Sequence, residues 1–206
     1  MRSTCVKRVA PNMGIYTMGP PEGLVRLLRN AYALSEFIET GTYHGATSAW
    51  AADLFERVVS IELAPALHQG ASMRLAHKTN IDFRLGDTET VLAEIVPGLA
   101  KPALFWLNAH WSGGETAGET HECPLLGEIA AIERSPIEHF LLIDDARFFM
   151  SPPPPPHRAE EWPDLAAITS ALSGKPRHIT VFRDVIVVVP PSARGVVVNY
   201  CRNTRV

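Results

Sequence analysis

Five strand-like runs in this chain end on residues able to do chemistry: Glu39, Glu62, Asp87, Asn108 with His110, and Asp144 with Asp145. A carboxylate accepts hydrogen bonds from hydroxyls, pairs with a cation, or ligates a hard metal ion. A histidine with an ordinary pKa near ~6.5 can take up a proton at neutral pH. Together these types suit a site that binds a hydroxylated, cationic ligand and removes a proton beside it. Helix capping is the structural alternative, strongest for Asp87, because Asp is a good N-cap.

These residues need elements that bring them to one edge. Strand-like segments at 36–39, 57–62, 81–85, 103–107 and 140–143 alternate with helix-like segments that open at Pro20-Pro21, after Gly45, at 65–77, at 88–96 and at Pro124. The first helix opens at Pro20-Pro21 and carries Leu24, Leu27, Leu28 and Ala31 at helical spacing; the fifth carries Leu125, Leu126, Ile129 and Ile132. Another helix follows Trp162-Pro163, with Leu165, Ile168 and Leu172. Residues 178–182 and 185–189, joined by Arg183-Asp184, predict a terminal hairpin. Alternating strands and helices imply a mainly parallel sheet covered on both faces, with ligands at the carboxyl ends of the strands. All 206 residues read as one domain, with an N-terminal extension over 1–20, a loop at 109–122 and a proline-rich connection at 151–163.

The turn Glu39-Thr40-Gly41-Thr42-Tyr43-His44-Gly45-Ala46-Thr47-Ser48 follows the first of those strands. Gly41 and Gly45 permit a tight turn and close approach of a ligand. Glu62 lies 21 residues beyond Gly41, where an acid can accept from both ribose hydroxyls. The glycine spacing is wider than a pyrophosphate cradle requires, and Glu39 would repel phosphate. An amine or sulfonium suits Glu39 better, so the turn favours a cationic nucleoside, S-adenosylmethionine.

On these residues the chain resembles the class I S-adenosylmethionine-dependent methyltransferases, over about residues 22–190. Residues Glu39, Thr40, Gly41, Thr42, Tyr43 and Gly45 match the acidic, glycine-containing first motif, and Thr47 and Ser48 follow it into the helix. Glu62 matches the ribose-binding acid, and Gly86-Asp87 the position that meets adenine. The resemblance implies a three-layer α/β Rossmann-like methyltransferase sandwich, with a mainly parallel seven-stranded sheet and a C-terminal antiparallel hairpin. Cofactor contacts would come from these residues and Asn108.

The next two strand ends are similar to those of magnesium-dependent O-methyltransferases of the macrocin type. That likeness implies a divalent metal among Asn108, Asp144 and Asp145, with Mg²⁺ as second cofactor, and His110 as general base. The metal would lower the pKa of a bound hydroxyl, and the histidine would take its proton. Asn108 departs from the pattern, since an acid is expected there; a neutral amide weakens metal affinity. Three other readings stay open: a cofactor-binding protein with a degenerate metal site, a cyclisation or elimination on the same cofactor, and a metal hydrolase using Asp144, Asp145, His110 and His121.

The formal net charge is −3, and no basic block stands out, which argues against nucleic acid. No apolar run approaches the roughly 18 residues that span a membrane. Cys5, Cys123 and Cys201 fit neither a metal spacing nor a disulfide framework, consistent with a reducing cytoplasm. The expected partner is a small-molecule acceptor, with a homo-oligomer as an open option. The glycine-rich segment 112–119 is a candidate lid, and Trp111, Phe148, Phe149 and Trp162 are candidate walls of an acceptor pocket.

Overall fold

The computed structural model describes residues 7–10, 14–17, 19–113 and 116–204. Cys5 and two residues of the candidate lid, Gly114 and Glu115, lie outside the described residues. Within the expected N-terminal extension, β1 (Lys7–Ala10) and β2 (Gly14–Thr17) pair antiparallel as a two-stranded sheet.

The main sheet has seven strands: β3 (Glu36–Thr40), β4 (Arg57–Glu62), β5 (Ile81–Leu85), β6 (Leu104–Leu107), β7 (Phe140–Ile143), β8 (His178–Phe182) and β9 (Val185–Val189). Their order is β5-β4-β3-β6-β7-β9-β8. The neighbours from β5 to β7 run parallel, and β9 is antiparallel to both β7 and β8. This is the expected Rossmann-like architecture, including the terminal hairpin.

Strands β6, β7 and β9 are apolar at every position, and the pleat sends alternate residues to opposite layers. On β6, Phe105 and Leu107 join α4 (Thr88–Ile95), α5 (Leu125–Glu133) and α7 (Leu165–Ala171). Leu104 and Trp106 face the other layer, with α1 (Glu22–Tyr32) and α8 (Arg194–Asn203). Full burial of each large side chain contributes about 1.5–3 kcal/mol, so these two clusters account for most of the drive to fold.

Helix faces depart from the sequence pattern in two places. In α1 the buried stripe is Leu24, Val25 and Leu28, which turns Leu27 outward to 46% exposure. In α5, Leu126 is exposed, whereas Glu128 faces inward and is 1% exposed. Two helices were not expected, α6 (Ala146–Met150) and α8. The remaining two, α2 (Ala46–Ala52) and α3 (Pro65–Arg74), follow β3 and β4.

After β3 the chain moves outward through β4 and β5, then returns to place β6 on the other side of β3. That reversal opens a crevice at the carboxyl ends of β3 and β6. Thr40 ends β3 there, and Asn108 follows β6. The Asn108 N–H donates to the Thr40 carbonyl at 3.2 Å and to its Oγ1 at 3.1 Å.

Candidate active site

A cavity of about 1020 Å³ lies over this crevice, lined by Gly41, Tyr43, Glu62, Asp87, Asn108, His110, Asp144 and Asp145 among others. Eight expected site residues therefore line one cavity, though they come from five separate strand ends. Leu63, Trp111, Arg147, Phe148 and His157 also line it.

At one end, Glu62 is fixed by backbone donors. Its Oε2 accepts from Tyr43 N at 2.8 Å and its Oε1 from Ala64 N at 2.9 Å. Each oxygen keeps a lone pair for a hydroxyl. Asp87 does cap α4, accepting from Thr90 N at 3.0 Å, and it also lines the cavity. Capping and ligand contact are compatible roles for its two oxygens.

The first turn is tight because the chain itself crosses it. A Cβ on Gly41, at φ +80°, would lie 2.2 Å from the Asn108 carbonyl oxygen. Gly41 thus serves the packing of β3 on β6 as well as the cavity. Tyr43 also has positive φ, 49°, and stands exposed at the mouth.

Glu39 does not line the cavity. It is 1% exposed beneath the turn, where Ser48 and Ser60 hydroxyls donate to its Oε2, the second at 2.7 Å. Thr42 and Ser60 hydroxyls bond at 2.7 Å, and Thr47 adds a further bond to Glu39. Burial pushes the Glu39 carboxyl up to about 7. Thr40, Thr42, Gly45, Thr47 and Ser48 likewise lie behind the wall. The Glu39 side chain, expected beside a cationic group, points back under the turn into this internal network.

At the other end, His110 Nε2 lies 2.7 Å from Asp145 Oδ2. Burial works against the His110 cation, but the Asp145 hydrogen bond and charge outweigh it and raise its pKa. Burial also opposes charge on Asp145, but His110 and Arg147 hold this carboxyl well below the usual range. Burial and the Asp145 charge push Asp144 up. Asp145 is left-handed, φ 56°, and its N–H donates to Asp144 Oδ1 at 2.9 Å. Arg147 donates to Asp145 Oδ1 at 2.6 Å and also pairs with Asp184.

A second buried histidine shows the contrast. His139 Nδ1 accepts from Ala103 N at 3.1 Å, and Nε2 then donates to Ser135 Oγ at 3.0 Å. It sits before β7, away from the cavity, and burial lowers its pKa to about 4. It is a neutral strut.

The aromatic wall is tied to the loops by Glu122. This carboxylate is 1% exposed and accepts from Trp162 Nε1 at 2.9 Å and from Arg158 N at 3.1 Å. Trp162 stacks near His110, with ring centroids 5.2 Å apart, and near Phe149 at 5.7 Å. Of the expected aromatics, Trp111 and Phe148 line the cavity, while Phe149 and Trp162 are core behind it.

Asn108, Asp144 and Asp145 do not fit a resident Mg²⁺. Both Asp145 oxygens are engaged, by His110 and by the Arg147 guanidinium, and a dication beside that guanidinium is repelled. Asn108 adds no charge. Among the described residues no three His, Cys, Asp or Glu side chains group as metal ligands. The hydrolase set fails for the same reason, since His121 turns to Glu89 at 3.0 Å.

Sequence reasoning missed Arg147, Asp184, Glu122 and Glu128. Asp184 reads as an ordinary turn residue, and Glu128 as the solvent side of an amphipathic helix. No spacing signal separates them from surface charges.

No protein-family model matches the chain, and no curated protein matches it. Solved structures do. The O-methyltransferase from Bacillus cereus, solved with S-adenosylhomocysteine, is 15% identical, with 84% of this chain and 82% of that one covered at a TM-score of 0.57. CalS10, an amino pentose methyltransferase from Micromonospora echinaspora solved with S-adenosylmethionine, is 13% identical, covering 82% and 88%, with a TM-score of 0.55. The S-adenosylhomocysteine-bound Podospora anserina methyltransferase PaMTH1 is 14% identical, covering 81% and 76%, at 0.55. The chain has the Rossmann-like methyltransferase fold. At these identities the likeness is one of fold.

Proposed function

We propose that this chain is an S-adenosylmethionine-dependent methyltransferase acting on a hydroxyl of a small molecule. The observation that carries the reading is the single cavity that joins Glu62 and Asp87 to the His110–Asp145 pair. Its volume suits a nucleoside cofactor with an acceptor beside it. Four carboxyl groups and one guanidinium line it among the described residues, a balance that draws in a cation.

Glu62 would accept from the ribose hydroxyls with the lone pairs left free by Tyr43 and Ala64. Leu63, 43% exposed on the cavity wall, offers an apolar face to the adenine, and Asp87 a polar edge. The cofactor supplies an electrophilic methyl when bound. His110 would take the acceptor's hydroxyl proton, and Asp145 would stabilise the resulting imidazolium. The remaining barrier falls by holding the acceptor oxygen in line. The amino pentose methyltransferase among the fold neighbours is consistent with a hydroxylated acceptor.

Calorimetric titration with S-adenosylhomocysteine tests the reading. Saturable binding with one ligand per chain is expected; no heat at millimolar ligand overturns it. A holder that transfers nothing is the second reading, favoured by Asn108, the neutral residue at the crevice. It would bind equally well, yet release no S-adenosylhomocysteine when incubated with S-adenosylmethionine and an acceptor library.

A further inference from the structure

Asp145 stands between two partners, with one carboxylate oxygen at 2.7 Å from His110 Nε2 and the other at 2.6 Å from an Arg147 nitrogen. Arg147 is in turn gripped by Asp184, from the turn between β8 and β9. The Asp184 carboxylate pairs with the same guanidinium nitrogen, and its other oxygen accepts from Arg147 N at 2.9 Å. The Asp184 carbonyl also accepts from Ala146 N at 2.9 Å. The guanidinium carbon lies 4.2 Å from the Phe148 ring centroid. A hairpin turn does not need this contact: a turn aspartate is ordinarily solvated, whereas Asp184 is 7% exposed.

We propose that Asp184 is a positioning residue for His110, acting through Arg147 and Asp145. The proposal rests on the reading of His110 as the base. Asp145 is held in a left-handed conformation, which among residues with a side chain Asn, Asp and His adopt most readily. By fixing the backbone at 146–147 and the Arg147 side chain together, Asp184 keeps Asp145 facing His110. An ionised carboxylate only accepts, so Nε2 carries the proton and Nδ1 is the nitrogen left to receive one. The terminal hairpin thereby decides which ring nitrogen works. The charge that neutralises Asp145 here is a guanidinium of the chain's own.

Nitrogen-15 NMR of the imidazole rings tests this without any ligand. The His110 signals are assigned by their loss in His110→Gln, and spectra are taken at alkaline pH, where the ring is neutral. The wild-type chain should show the Nε2–H tautomer alone. Asp184→Ala should replace that pattern with averaged shifts from both tautomers. If Asp184→Ala does not fold, Arg147→Gln is read in its place, with the same expectation. An unchanged single-tautomer pattern in either folded variant, even with a lowered Tm, overturns the proposal, since a merely structural role would move stability alone. Because this readout is independent of cofactor, its failure is distinct from a failure to bind S-adenosylhomocysteine.

Discussion

Glu62 and Glu39 stand one pleat apart on neighbouring strand ends, yet the fold gives them opposite jobs. Glu62 is held open by two backbone N–H groups, so its charge is ready before a ligand arrives. Hydrogen bonds to a charged group are worth about 1.5–3 kcal/mol, so Glu62→Gln, which loses the charge and one of the two acceptor oxygens, should weaken S-adenosylhomocysteine binding by at least about tenfold. An unchanged affinity by calorimetry would remove Glu62 from the ribose. Glu39 is a buried acid whose carboxyl moves from an ordinary 4.5 to about 7. The folded chain therefore keeps this proton where the unfolded chain releases it. Stability from this group is full below 4.5 and falls as pH rises to about 7, by about 3 kcal/mol in all. Glu39→Gln should flatten that fall, read as urea midpoints at pH 5 and pH 8; parallel profiles for variant and wild type would refute it.

The elements were legible where one signal dominated. Strands β6 and β7 are unbroken apolar runs, and the ends of β4, β5, β6 and β7 carried Glu62, Asp87, Asn108, His110 and the Asp144–Asp145 pair to the cavity. Helix α8 escaped because β-branched Val196, Val197 and Val198 disguise its period, and only Val197 is buried. That Glu39 and Ser48 lie beneath the turn and off the cavity lining was not legible, because sequence spacing does not tell which way a side chain leaves a turn. Charges that meet only in three dimensions, Asp184 on Arg147 and Glu122 on Trp162, leave no local trace. The β3–α2 turn gives a sharp test at this scale. Gly41→Ala combines a positive φ with a Cβ 2.2 Å from the Asn108 carbonyl, and should cost about 2 kcal/mol or more by denaturant unfolding. Gly98→Ala, with open space around its Cβ, should change stability by less than about 0.5 kcal/mol. Equal effects at both positions would contradict the packing of β3 against β6.

For the whole molecule, ligand and fold are linked by mass action. A ligand at a hundred times its Kd adds about 2.7 kcal/mol to stability. Saturating S-adenosylhomocysteine should thus raise Tm, whereas millimolar Mg²⁺ or a chelator should leave the apo protein's Tm unmoved. A clear rise with Mg²⁺, reversed by the chelator, would show that Asp144 and Asp145 do gather a metal. No helix among the described residues is long and apolar enough to cross a membrane.

The position of β9 has a further consequence, one of timing. It is the last strand of the sheet in chain order, yet it lies inside the sheet, between β7 and β8. While the ribosome still holds it, β7 keeps an open hydrogen-bonding edge in an otherwise assembled core, the kind of edge that invites pairing with a stranger. The same segment delivers Asp184 to Arg147. Synthesis therefore closes the sheet and completes the charge network in one act, so a nascent chain short of β9 has both an open sheet and an unsupported Arg147.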